Sequence, residues 1–221
     1  MNNNAERKKV LVTGSTGFVG RALKNRLENI GYIVIGLNRD ITIPDTFKEL
    51  KDQNIYYVFH LAAKTVVTDS WESPFSFYNT NIIGTANVLD YCRHEDIDLT
   101  FISAYIYGIH AEPVISEDCT IRPNNPYAHS KYLAEQLCEF YAKEFNVRIN
   151  IVRPFNVYGI GQSCNFIIPY IIKQAINNKY IRVKDLSPKR DYVYLEDFID
   201  ACILCMDVSR GYSVYNIGSG Y

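Results

Sequence analysis

The sequence predicts an α/β fold, a doubly wound parallel sheet with a small C-terminal annex, and three observations carry that expectation. From Lys9 to about Arg153, short β-branched or aliphatic runs alternate with segments of helical period, the pattern of strands joined by crossover helices. Each run is apolar on both faces, as a strand covered by helices on both sides must be. After Arg153 the alternation gives way to shorter pieces. In order, the expected elements are a strand Lys9–Thr13, a helix Gly17–Asn29, a strand Ile33–Leu37, a helix Asp45–Asp52, a strand Tyr56–His60, a helix Pro74–Arg93, a strand Thr100–Ser103, a helix Pro126–Phe145 and a strand Arg148–Arg153. A Gly-containing loop at Tyr158–Ser163 follows, then a helix near Phe166–Asn177, short strands near Ile181–Val183 and Tyr192–Tyr194, and a helix over Leu195–Met206. The expected domains are a flexible tip over residues 1–8, the sheet over 9–160 and an annex, interleaved with the sheet, over 161–221.

At 221 residues the chain can bury one full core with a small annex, not two large domains. Its 23 Lys+Arg against 24 Asp+Glu give a net charge of −1, which removes the electrostatic footprint of a general nucleic-acid binder. No stretch approaches the roughly 18 consecutive apolar residues of a membrane span, and the start, Met1 to Lys9, lacks the apolar core of a secretory signal. A soluble, cytoplasmic protein is expected, with no membrane or nucleic-acid partner. The six cysteines are scattered without zinc-ribbon pairing. Only Cys202 and Cys205 form a C-x-x-C pair, and they read as buried helix thiols rather than a redox or metal pair. No metal site is expected.

The first strand runs into Gly14-Ser-Thr-Gly17-Phe-Val-Gly20 and then an amphipathic helix. That spacing, a variant of G-x-G-x-x-G, meets three demands of a Rossmann-type dinucleotide site: a tight turn, close backbone approach to a pyrophosphate and close helix–strand packing. The helix N-terminus adds free amides and the positive end of a dipole. In NAD-preferring sheets the second strand ends in an acid about 20 residues past the glycines, on the ribose hydroxyls. Here it ends in Asn38 and Arg39. With no carboxylate to repel a 2′-phosphate and a guanidinium to pair with one, NADP is the expected cofactor and NAD the alternative; the bland reading leaves Arg39 stacked on adenine or in water. Asp40 and Ile41 line the adenine side in this reading.

Tyr127-Ala-His-Ser-Lys131 puts a phenol and an ammonium one helical turn apart, with Ser103 at the end of the preceding strand. The cation is expected to favour the phenolate, and a tyrosine so activated moves a proton to or from a sugar oxygen while a nicotinamide carries the hydride. Ser103 would hydrogen-bond the same oxygen.

On these motifs, together with Asp40-Ile41, His60-Leu-Ala-Ala63, Asn81-Ile-Ile-Gly84-Thr85, Ser103-Ala-Tyr-Ile-Tyr107-Gly108, Arg153-Pro-Phe-Asn156-Val-Tyr-Gly159, Arg190-Asp-Tyr192 and Tyr215-Asn-Ile-Gly218, the chain resembles the extended short-chain dehydrogenases/reductases of the nucleotide-sugar epimerase/dehydratase group. The resemblance implies that Gly14, Gly17 and Gly20 hold the pyrophosphate, that Thr16 and Phe18 also bind the cofactor, and that Leu61, Ala62 and Ala63 border it. It places Asn81 and Phe155 near the nicotinamide, Lys131 on its ribose, and Asn156, Asn165, Phe166 and Arg190 on a nucleotide-diphosphate sugar. Ser103, Tyr127 and Lys131 form the catalytic set. His60 is read as a packing residue and His129 as lying on another helix face. A homodimer is expected.

The departures narrow the chemistry. Related 4,6-dehydratases carry an Asp-Glu pair where this chain has Ala104 and Tyr105; related decarboxylases keep a glutamate, and epimerase-reductases a cysteine, at the position of Tyr105. What the resemblance leaves is hydride transfer at C4 of the hexose, as a 4-keto-sugar reductase or a 4-epimerase. Family members continue past the Asn216–Gly220 segment, so the pocket formed by 161–221 is expected to be partial, through truncation or completion by a partner subunit. The alternative is a non-catalytic or impaired dinucleotide-binding protein on the same fold.

Overall fold

The structure, a computed structural model, describes residues 7–109, 114–185, 187–208 and 211–220. Residues 1–6 of the expected tip lie outside the described residues. The strands are β1 (Lys9–Thr13), β2 (Ile33–Leu37), β3 (Ile55–His60), β4 (Asp98–Ile102), β5 (Ile149–Pro154), β6 (Asn156–Tyr158), β7 (Tyr192–Tyr194) and β8 (Tyr212–Ile217). Six of them form one parallel sheet in the order β2-β1-β3-β4-β5-β8, and β6 pairs with β7 in a separate parallel ribbon. The chain moves outward from β1 to β2 and then returns to the other side of β1. That reversal opens a crevice at the carboxyl ends of β1 and β3, where doubly wound sheets take their ligands.

Alternation along β1 sorts the two cores. Val10 and Val12 pack with Leu23 and Leu27 of α1 (Phe18–Asn29) and with Phe198, Ile199 and Cys202 of the helix Leu195–Cys205. Leu11 points the other way, into Val58, Leu99, Ile149, Val88, Leu89, Ala134 and Cys138. The remaining helices are α2 (Val67–Glu72), α3 (Pro74–Tyr78), α4 (Gly84–Glu95), α5 (Pro126–Phe145) and α6 (Ile167–Asn177), which makes Leu195–Cys205 α7. Helices α1 and α7 thus cover one face of the sheet and α4 and α5 the other, and each fully buried aliphatic side chain in these layers contributes about 1.5–3 kcal/mol. Cys202 and Cys205 are the buried, free helix thiols expected, with burial pushing Cys205 up to about 11.

Four segments differ most from the expectation, and α2 and β6 are short elements it did not include. The segment expected as a helix over Asp45–Asp52 is a 3-10 turn, Pro44–Leu50, which buries Phe47 and Leu50 in too few residues for a stable α-helix. The helix expected over Pro74–Arg93 is interrupted by a π turn, Asn79–Ile83. Its β-branched run and Gly84 weaken helix preference, and Gly84 packs so closely on Ile41 that a Cβ there would lie 2.5 Å from that side chain. Ile181–Val183 is not a strand. Arg182 exchanges two backbone hydrogen bonds with the Gln174 side-chain amide, both 3.0 Å, which substitutes for a strand partner. Conversely, Tyr212–Ile217 is the sixth strand of the main sheet, so α7 and β8 return from the annex to the core.

Candidate active site

Gly14 follows β1 with φ +69°, a left-handed conformation that favours glycine, and a Cβ there would lie 2.8 Å from the Ala62 main-chain nitrogen. The turns after β1 and β3 therefore touch across the crevice. A Cβ on Gly20 would lie 2.1 Å from the Gly14 carbonyl oxygen, so the helix also seats against the turn. Helix α1 has neither a side-chain cap nor an acid in its first turn, which leaves its first amides open to an anion. Thr16 and Gly17 are exposed, and Phe18, Leu61, Ala62 and Ala63 are half-buried around the crevice. These features fit a dinucleotide: glycines where a side chain could not stand, and uncapped amides at the turn.

At the end of β2 the Ser15 hydroxyl donates to Asn38 Oδ1 (3.1 Å), tying the turn to the second strand. Arg39, expected to meet a 2′-phosphate, pairs with Glu49 at 2.7 Å, both side chains exposed. Asp40 turns its carboxylate onto the Thr42 amide (2.9 Å) and hydroxyl (2.8 Å), which lowers its pKa, while Ile41 is buried under Gly84.

Ser103 lies just past β4, wholly buried, and its hydroxyl has no partner among the described residues. An unsatisfied buried hydroxyl costs about 1–3 kcal/mol and is a group prepared for a ligand. The helix bearing Tyr127 is fixed at its start by Asn125, whose side-chain oxygen accepts the Ala128 amide at 2.9 Å, with Pro126 in the first turn. Tyr127 and Lys131 are both buried, as two residues one turn apart on an inward face should be. Their charges, however, do not behave as the spacing suggested. Burial, with Tyr105 second, raises the Tyr127 phenol well above its ordinary value, and burial pushes Lys131 down to about 7. The ammonium lies 3.9 Å over the Phe101 ring. Burial therefore favours the neutral phenol of Tyr127, and the expected help of the Lys131 cation to the phenolate is not among the influences on it.

Asn81 sits in the π turn, where its side chain clamps the Lys64 main chain, accepting from the amide (2.8 Å) and donating to the carbonyl (3.1 Å). It also donates to Ser130 Oγ (2.8 Å), and Ser130 donates to the Tyr127 carbonyl (2.7 Å). One turn beyond Lys131, Glu135 forms a buried ion pair with Arg153 at 2.6 Å. Arg153 also donates to Tyr107 Oη (2.7 Å), which donates to Asn216 of β8 (2.7 Å). This network braces α5 against β5 and β8.

The side expected to face the sugar is built differently. Tyr105 holds φ +65°, strained for an aromatic residue. Its ring lies 6.1 Å from that of Tyr127, and its hydroxyl donates to Asn156 Oδ1 at 3.2 Å. Arg190 lies near enough for its charge to lower the Tyr105 phenol, against a larger upward push from burial. Phe155 packs beside Gly218, and the Asp191 carboxylate accepts the Ser219 amide at 2.9 and 3.0 Å. Asn165 and Phe166 stand exposed at the start of α6, outside the contacts that join Tyr105, Asn156 and Tyr127. Sequence reasoning treated Tyr105 only as a missing carboxylate and His60 only as packing. The first has no signal in sequence, since its backbone angle does not show there; the second had one, a histidine at a strand end beside the Ala62-Ala63 turn.

The profile of the NAD-dependent epimerase/dehydratase family matches residues 10–218. The chain is 32% identical to a GDP-6-deoxy-D-talose 4-dehydrogenase of Aggregatibacter actinomycetemcomitans, over 95% of this chain and 77% of that relative. Among solved structures it superposes on the Pseudomonas aeruginosa protein RMD complexed with NADPH (TM-score 0.88, 30% identity, 97% of this chain and 78% of that one). It also superposes on the UDP-glucose 4-epimerase of Thermotoga maritima with UDP-glucose (TM-score 0.90, 27% identity, 96% and 77%). Among the described residues no helix is long and apolar enough to cross a membrane. A likeness that runs from the first strand to the last places the chain in the NAD-dependent epimerase/dehydratase family, the NAD(P)-dependent nucleotide-sugar enzymes of the extended short-chain dehydrogenase/reductase type.

Proposed function

We propose that the protein transfers hydride at C4 of a nucleotide-activated hexose, as a 4-keto-sugar reductase or a 4-epimerase, with Ser103, Tyr127 and Lys131 as its catalytic set. The observation that carries this reading is a wholly buried Ser103 hydroxyl with no partner among the described residues, together with a buried Tyr127 whose neutral phenol burial favours. In the reducing direction a nicotinamide held in the crevice would supply the hydride. Ser103 donates to the C4 carbonyl oxygen, and Tyr127 gives that oxygen its proton, so the ketone becomes a secondary alcohol with charge and atoms balanced. A phenol held protonated by burial is suited to that direction. The ammonium of Lys131, in the protonated fraction, opposes the negative charge left on the phenolate until solvent restores the proton. Ala104 and Tyr105 supply no carboxylate for removing a C5 proton or expelling the C6 hydroxyl, so dehydration is not part of the reading.

NADP(H) is the proposed cofactor, supported by Asn38 and Arg39 at the end of β2 and by the similar protein complexed with NADPH. Glu49 holds Arg39 here, so the guanidinium must exchange that carboxylate for the 2′-phosphate. Asn156, Asn165, Phe166 and Arg190 are proposed to meet the nucleotide-sugar, and a homodimer is proposed as the assembly. A second reading, cofactor binding without turnover, is favoured by the exposure of Asn165, Phe166 and Arg190.

The test screens UDP-, GDP-, dTDP- and CDP-hexoses and their 4-keto forms by thermal shift with each cofactor, then follows nicotinamide absorbance and product mass. The expected result is one nucleotide-sugar that raises the melting temperature and is turned over, with turnover falling about 10²–10⁴-fold in Tyr127→Phe. Cofactor binding without turnover of any sugar favours the second reading. Time-dependent loss of water from the sugar, dependent on Tyr127, moves the protein among the dehydratases.

A further inference from the structure

His60 ends β3, is wholly buried, and is hydrogen-bonded at both ring nitrogens: Nδ1 to Thr13 Oγ1 at 2.7 Å and Nε2 to Thr85 Oγ1 at 2.9 Å. The protons can be assigned by following each hydroxyl. Thr85 spends its proton on the Asn81 carbonyl (2.6 Å), so it accepts from His60, and Nε2 must carry hydrogen. Thr13 accepts the Ala62 amide (3.1 Å), which leaves its own proton for Nδ1. A single directed chain results, from the Ala62 amide through Thr13 and His60 to Thr85 and the Asn81 carbonyl. The Asn81 side chain then carries it to Lys64 and, through Ser130, to the Tyr127 carbonyl.

Both ends of this chain lie on the site. One is the backbone that borders the cofactor crevice, and the other is the first turn of the helix carrying Tyr127 and Lys131. Its side chains, Thr13, His60, Thr85, Asn81 and Ser130, are all buried. The ring packs on Phe101, with centroids 5.4 Å apart, and Lys131 places its ammonium over the same Phe101. A second positive charge there would be unfavourable, and the imidazole is pushed down to about 3 by burial and then by Lys131.

We propose that His60 is a positioning residue: a neutral imidazole locked as the Nε2–H tautomer, which couples the cofactor-bordering turn to the helix of Tyr127 and Lys131. The proposal rests on the assignment of Tyr127 and Lys131 to hydride-transfer chemistry made above. A merely space-filling histidine would need neither a fixed tautomer nor two directed hydroxyl partners.

Two measurements test it. Long-range ¹H–¹⁵N spectra of the labelled protein, with His60 assigned by its absence in His60→Phe or, if that variant does not fold, by its contacts to Thr13 and Thr85, should show protonated Nε2 and bare Nδ1, unchanged from pH 5 to 9. An Nδ1–H tautomer or a titration in that range overturns the proposal. In kinetics with the nucleotide-sugar identified by the screen, Thr85→Val should lower kcat about tenfold with cofactor affinity within about twofold, a size typical of coupled neighbours. Thr13→Val should weaken cofactor binding instead, and in a His60→Phe background neither substitution should add its effect. Full additivity in that background, or unchanged kcat in Thr85→Val, overturns the proposal while Tyr127→Phe remains inactive. An unaltered protein that turns over no nucleotide-sugar overturns the proposed function and this inference with it.

Discussion

The two halves of the site are held by different means. Around the glycine turn, Gly14, Ala62, Thr13, His60 and Asn81 are fixed by backbone contact and by buried hydrogen bonds satisfied at each link. Around Tyr105, the residues are largely exposed, come from loops and strand ends, and include a strained backbone. The contrast teaches that the half proposed for the cofactor has its buried hydrogen bonds already made, whereas the half proposed for the sugar keeps unsatisfied capacity in the Ser103 hydroxyl. Substitutions in the first half should therefore show as losses of stability and cofactor affinity, and those in the second as losses of sugar recognition alone.

The largest effect expected is at the boundary, in Lys131→Met. The folded pKa of Lys131, about 7, lies below the ordinary lysine value of 10.5, so the unfolded chain binds the extra proton. Burial therefore penalises the native state fully below pH 7, and the penalty is released as pH rises from 7 toward 10.5. Lys131→Met should stabilise the protein by on the order of 3 kcal/mol at pH 6, with the gain shrinking to nothing near pH 10.5, while turnover is lost. Urea melts across that range check the sign; a gain that grows with pH would contradict it.

Next is Gly14→Ala, which forces a methyl group against the Ala62 main chain in a left-handed conformation. It should cost about 2 kcal/mol and abolish cofactor binding, as read by melting temperature and calorimetry. Arg39→Ala should weaken NADP(H) about tenfold, the loss of one exposed phosphate contact, and leave NAD(H) unchanged. A preference for NAD(H) that ignores Arg39 would remove the cofactor assignment. Smallest is Tyr105→Asn. Asparagine tolerates the left-handed backbone, so stability should change by less than about 1 kcal/mol and cofactor affinity not at all, while binding of the nucleotide-sugar weakens. Equal weakening of cofactor and sugar would erase the distinction between the two halves.

Much of the cofactor half was legible in the sequence because its signals are local. A strand, three glycines and an amphipathic helix are consecutive, and Tyr127 and Lys131 share a face by helical period alone. What was not legible depends on distant partners. Tyr212–Ile217 becomes a strand by pairing with β5, about sixty residues earlier, and its six residues are all half-buried, so no apolar run marked it. Within the π turn Asn81 is held by Lys64 and Ser130, partners that a local reading does not show. The pKa directions of Tyr127 and Lys131 ran against expectation for a related reason: spacing shows two groups on one face but not how much protein covers them, and burial is the largest influence on both.

The central claim is hydride transfer at C4 with Tyr127 moving the proton. The most direct measurement supplies reduced cofactor deuterated at the transferring position together with a nucleotide 4-keto-hexose, and locates the label in the product by mass spectrometry and NMR. The expected product carries one deuterium at C4, and Tyr127→Phe forms it about 10²–10⁴-fold more slowly. Deuterium at another carbon, or C4 labelling at an undiminished rate without the Tyr127 hydroxyl, would contradict the account.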